Sequence, residues 1–116
     1  MVDAALAVPC AAGIEFGLPA SAVEALRGVL AQYGQIRRAL VYGSRAKGNY
    51  RSGSDIDIVL DAPALAFADL MRIETEIDDL MLPWQVDLSL LSQIENQNLL
   101  DHIERVGKAL WIKQLC

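Results

Sequence analysis

Gly43-Ser44-Arg45-Ala46-Lys47-Gly48-Asn49-Tyr50-Arg51-Ser52-Gly53-Ser54-Asp55-Ile56-Asp57-Ile58 is the stretch on which the reading of the fold turns. Before it, Arg38-Ala39-Leu40-Val41-Tyr42 is rich in strand formers and runs straight into Gly43-Ser44, which predicts a strand ending in a sharp turn. Arg45-Ala46-Lys47 predicts a short helix capped by Ser44 and closed by Gly48, with the Gly43 amide free of side-chain obstruction and the helix amides aimed at an anion. Asn49 to Ser54 is mostly polar and reads as a loop. Asp55-Ile56-Asp57-Ile58-Val59-Leu60 then alternates with a period of two, so Ile56, Ile58 and Leu60 take one face of a strand and Asp55, Asp57 and Val59 the other.

Working outward, Ser21 and Glu24 form a capping-box pattern ahead of Val23, Leu26, Leu30 and Tyr33, which recur at helical spacing until Gly34. Beyond Pro63, the residues Leu65, Ala66, Leu70, Ile73, Ile77 and Leu80 make the apolar stripe of a longer helix that Pro83 ends. Gln85 to Leu90 alternates again, with Val86, Leu88 and Leu90 inward and Asp87 and Ser89 on the opposite face. A last helix is expected within residues 93–106, broken by Gly107, and Ala109-Leu110-Trp111-Ile112 fits either a strand or a further helix. The order helix, strand, strand, helix, strand, helix gives an α+β (mixed α/β) class: a twisted mixed β-sheet with helices packed mainly on one face. Residues 1–18, punctuated by Pro9, Gly13 and Gly17, read as an irregular arm, and residues 19–116 as one domain.

Composition narrows the function classes. At 116 residues and 53% hydrophobic content the chain suits one packed domain and not a disordered one. Cys10 and Cys116 lack metal-ligand spacing, and the N-terminus lacks a basic leader, so a reducing, cytoplasmic setting without membrane attachment is expected. A net charge of −5 argues against direct DNA binding. Within that acidic chain Arg37, Arg38, Arg45, Lys47 and Arg51 concentrate positive charge near Gly43-Ser44, as polyphosphate binding requires.

The chemistry is carried by carboxylates. Asp55 and Asp57 on one strand face repel each other, and if enclosed they call for a compensating cation. Mg²⁺ is the natural one, because it is a hard ion that takes one or two carboxylates together with phosphates and water. Asp87 on a later strand completes a cluster able to hold two Mg²⁺ ions about 4 Å apart. In this reading Asp55 and Asp57 link metal to a nucleoside triphosphate, Asp87 helps hold the second ion and polarises or deprotonates the attacking hydroxyl, and Gly43, Ser44, Arg45, Lys47 and Ser54 receive the nucleotide.

Gly43-Ser44-Arg45-Ala46-Lys47-Gly48 followed by Ser54-Asp55-Ile56-Asp57-Ile58 resembles the signature of the DNA polymerase beta-like nucleotidyltransferase superfamily. With Leu82-Pro83-Trp84-Gln85-Val86-Asp87-Leu88 and the short chain, residues 20–112 look like the minimal nucleotidyltransferases, the MNT family. The resemblance implies transfer of AMP from ATP to a tyrosine hydroxyl of a separately encoded HEPN toxin, with the chain acting as antitoxin. The alternative is a non-catalytic nucleotide-binding module that neutralises its partner by occlusion, and a small-molecule acceptor is a third possibility. Trp84, Trp111, Ile112, Leu115 and Cys116 are apolar residues compatible with a partner surface in a homo- or hetero-oligomer, although each taken singly reads first as packing within its own domain.

Overall fold

Alternation in the second predicted strand is realised as a central strand whose Ile56, Ile58 and Leu60 are fully buried while Asp57 stands half-buried on the other side. The structure, a computed structural model, describes residues 15–113; most of the expected arm, together with Cys10, Leu115 and Cys116, lies outside them. Its elements are α1 (Ala20–Leu30), β1 (Arg38–Tyr42), α2 (Ser44–Lys47), β2 (Ile56–Asp61), α3 (Phe67–Asp78), β3 (Val86–Leu90), a 3-10 turn (Leu91–Gln93), α4 (Gln97–Val106) and β4 (Lys108–Ile112).

The strands form one sheet in the order β3-β2-β1-β4. β1 runs antiparallel to both β2 and β4, whereas β2 and β3 are parallel. A parallel pair needs a long crossover, and α3 supplies it, burying Leu70, Ile73 and Ile77. The register Ala39↔Leu60 and Val41↔Ile58 puts these four residues on one face, where α1 and α3 cover them and touch each other. α4 lies against the opposite face at the end of β1: its His102 ring meets Tyr42 edge-on, with centroids 6.3 Å apart. Val59 on that face is buried as well, outside the main core cluster.

Several boundaries differ from the sequence expectation, each for a local reason. α1 starts one residue before Ser21, because the Pro19 carbonyl accepts from the Ala22 and Val23 amides, and no side-chain cap is made. The residues Glu15 to Leu18 close a tight turn, and Leu18 enters the core with no exposure. α4 begins at Gln97, since Asn96 caps it by accepting from the amides of Asn98 (2.9 Å) and Leu99 (3.2 Å). After the Gly107 amide bonds to the Ile103 carbonyl the backbone turns extended, which makes the tail a strand beside β1. Among the described residues no helix is long and apolar enough to cross a membrane.

Candidate active site

Pairing in register across β2 and β3 sets Asp57 opposite Asp87, so both carboxylates leave the face that does not pack on α1 and α3. On the other side of β2, Tyr42 of β1 is the partner of Asp57, and the three side chains form a row across the sheet. Asp55 is exposed immediately before β2. Burial pushes the Asp57 carboxyl above the ordinary carboxylate range, and the negative charges of Asp87 and Asp55 push it further. Asp57 therefore feels the charge of the other two acids. Among the described residues no three His, Cys, Asp or Glu side chains form a ready-made ion cage. The donor set nevertheless fits Mg²⁺, whose usual site is one or two carboxylates completed by substrate phosphates and water, and the cation would relieve the charge that raises Asp57.

The turn after β1 is built against these acids. Gly43 adopts φ 72°, ψ −154°, and a Cβ added there would lie 2.5 Å from Asp57 Oδ2. Only a residue without a side chain lets the backbone sit so close to the carboxylate. Gly43, and not Ser44, is the N-cap of α2: its carbonyl accepts from the Ala46 and Lys47 amides, and Ser44 is the first helical residue, half-buried. The Gly43 amide, expected to be free of side-chain obstruction, instead donates to the His102 side chain, at Nε2, at 3.2 Å. From sequence His102, on a helical stretch beside Asp101 and Glu104, reads as helix surface and not as part of the chemistry. The available signal was Val59, an apolar residue on the acid face that requires something to cover it.

A family model described as polymerase beta, nucleotidyltransferase, matches residues 24–114, from within α1 to just past β4. The chain belongs to the polymerase beta nucleotidyltransferase family. Its fold is shared by a chain in the crystal structure of a toxin–antitoxin with AMP-PNP, at TM-score 0.64 and 22% identity over 79% of this chain and 74% of that one. A chain of the Shewanella oneidensis complex of a tri-AMPylated HEPN toxin with an MNT antitoxin superposes at TM-score 0.60, with 19% identity over 80% of this chain and 71% of that one. The toxin–antitoxin MntA-HepT structure gives TM-score 0.59 and 19% identity over 80% and 72% of the two chains. No curated protein matches the sequence of this nucleotidyltransferase.

The positive residues of the nucleotidyltransferase are arranged differently from the sequence expectation. Arg45 was expected on phosphate, but its side chain is buried at 2% exposure. Its guanidinium donates to the carbonyls of Ser54 (2.9 and 3.1 Å), Ser52 (3.3 Å) and Phe16 (3.0 Å), between the rings of Tyr50 and Trp84. Trp84 Nε1 donates to the same Ser52 carbonyl at 2.9 Å. The polar loop has few donors for its own carbonyls, so Arg45 and Trp84 tie it to the domain and fix the approach to Asp55. Ser54 Oγ accepts from the Arg51 amide, and Lys47 is exposed. Arg37 and Arg38 sit at the far end of β1 from Gly43, where Arg38 pairs with Asp61 at 3.0 Å. Arg45→Ala removes the partner of several part-buried carbonyls and is expected to cost about 3 kcal/mol in urea unfolding, while Arg45→Lys recovers only part, because an ammonium cannot fork. A loss below about 0.5 kcal/mol for the alanine variant would contradict this role.

Proposed function

We propose that this nucleotidyltransferase moves AMP from ATP onto a tyrosine hydroxyl of a HEPN toxin encoded beside it, and so serves as the antitoxin of the pair. The reading is carried by the in-register pairing of Asp57 with Asp87 beside the Gly43-Ser44 turn. Support comes from the relatives that share the fold: one toxin–antitoxin is bound to AMP-PNP, and one HEPN toxin is AMPylated in complex with its MNT antitoxin. A single domain over residues 19–116, acting in the cytoplasm where ATP and such a partner are present, accords with it.

Asp55, Asp57 and Asp87 would hold Mg²⁺, two ions in the full site, which supply positive charge against the triphosphate and the oxygens entering and leaving at phosphorus. Gly43 lets the backbone close on the phosphates without a side chain intervening, and Ser44 offers a hydroxyl and an amide. Lys47 and the Ser54 region flank the approach; the Arg45 side chain contributes by holding the loop. The tyrosine oxygen bonds to the α-phosphorus while the bond from that phosphorus to the pyrophosphate oxygen breaks. Pyrophosphate departs with the electron pair, and the hydroxyl proton passes to the Asp87 carboxylate and on to water.

The test is intact-mass measurement of the HEPN partner after incubation with this chain, Mg²⁺ and ATP. One or more AMP additions are expected. Unmodified partner in a stable complex would overturn transfer and leave neutralisation by occlusion.

A further inference from the structure

His102 is the one histidine of the chain, carried on α4, an element that none of the roles above involves. Its ring is held from two sides: Nε2 accepts from the Gly43 amide at 3.2 Å, and the Tyr42 ring meets it edge-on at 6.3 Å and 80°. To accept at Nε2 the imidazole must be neutral with its proton on Nδ1. Gly43 makes this bond with its amide and lies so close to Asp57 that an added Cβ would come within 2.5 Å of Oδ2. The Gly43 carbonyl is held by the Ala46 and Lys47 amides of α2, and its amide, at the left-handed φ of the turn, is held by His102.

We propose that His102 is a positioning residue for nucleotide binding: by occupying the Gly43 amide it locks the Gly43-Ser44 turn against Asp57, leaving Ser44, and not Gly43, to meet the phosphates. The inference rests on the nucleotidyl-transfer reading of the site. It also gives α4 a task in the site, since a change in the seating of α4 on β1 would be felt at the turn. In free solution the Gly43 amide would otherwise be paid by water, and the turn would sample other conformations before closing on a ligand. The lost order appears as weaker nucleotide binding.

The test compares the full-length chain with His102→Ala and His102→Gln, titrated with AMP-PNP and Mg²⁺ by calorimetry. Glutamine can place an acceptor oxygen near the position of Nε2; alanine cannot. Loss of one such bond is expected to weaken binding about tenfold in the alanine variant, with the glutamine variant within about threefold of wild type and all three unfolding at similar temperatures. Equal affinity of wild type and alanine variant overturns the inference, as does a glutamine variant as weak as alanine. Nitrogen-15 NMR of the ring decides it independently of nucleotide: the Nδ1–H tautomer, with a Gly43 amide resonance displaced in the alanine variant and largely restored in the glutamine variant, is the expected result. An Nε2–H tautomer overturns it. Wild-type protein that binds no AMP-PNP while showing the Nδ1–H tautomer would sink the transfer reading and leave the turn-locking contact standing.

Discussion

Asp57→Asn is expected to lower AMP transfer by a factor of roughly a thousand or more and, in the same protein, to raise the unfolding temperature. The loss of activity follows from removing the charge of the carboxylate that is paired with Asp87 and packed on Gly43. The gain in stability follows from the direction of its proton affinity. Burial and the charges of Asp87 and Asp55 raise the Asp57 carboxyl above the value it has in the unfolded chain. The folded protein therefore binds the proton more tightly, and stability is fully present below the unfolded value and is lost as pH rises through the folded one. At neutral pH the ionised group opposes folding, and a neutral amide of the same shape removes that opposition. Initial rates with the HEPN partner and thermal melts followed from acid to neutral pH check both halves. A variant that stays active, or one that melts lower than wild type at neutral pH, would contradict the account.

Gly43→Ala is expected to cost about 1–2 kcal/mol of stability and about a hundredfold in transfer. A left-handed φ of 72° is strained for any residue with a side chain, and the new methyl would meet Asp57 Oδ2 at 2.5 Å. Since the strand backbone is fixed by pairing on both sides, the carboxylate must swing away, and it then no longer stands beside Asp87 as in the wild type. The two sources of cost separate in a double-mutant cycle. In an Asp57→Ala background the clash partner is gone, so Gly43→Ala should cost only its backbone strain. Strict additivity of the two substitutions in urea unfolding would show that the contact with Asp57 plays no part.

The two inner strands and the crossover helix were legible because their signals are periodic and local. Ile56, Ile58 and Leu60 alternate with Asp57 and Val59, and Leu70, Ile73 and Ile77 recur at helical spacing; burial rewards both patterns directly. The same alternation placed Asp57 and Asp87 on outward faces, and only the parallel register, a property of the whole sheet, could set them side by side. Arg45 was misread because charge near a glycine-serine turn suggests an anion, whereas the needs of a loop's carbonyls are invisible until the loop is closed. The tail was ambiguous for a related reason: Ala109-Leu110-Trp111-Ile112 has no decisive period, and the free edge of β1 made it a strand. His102 reads from sequence as helix surface because its partner is a backbone amide 59 positions away, which no side-chain pattern records.

The central claim is that carboxylates from two adjacent strands hold divalent metal on a nucleotide beside the Gly43-Ser44 turn. Mn²⁺ in place of Mg²⁺, followed by electron paramagnetic resonance with AMP-PNP present, tests it most directly. The account predicts nucleotide-dependent Mn²⁺ binding in the wild-type chain that is lost in Asp57→Asn and weakened in Asp87→Asn. The same bound Mn²⁺ signal in all three proteins would contradict it.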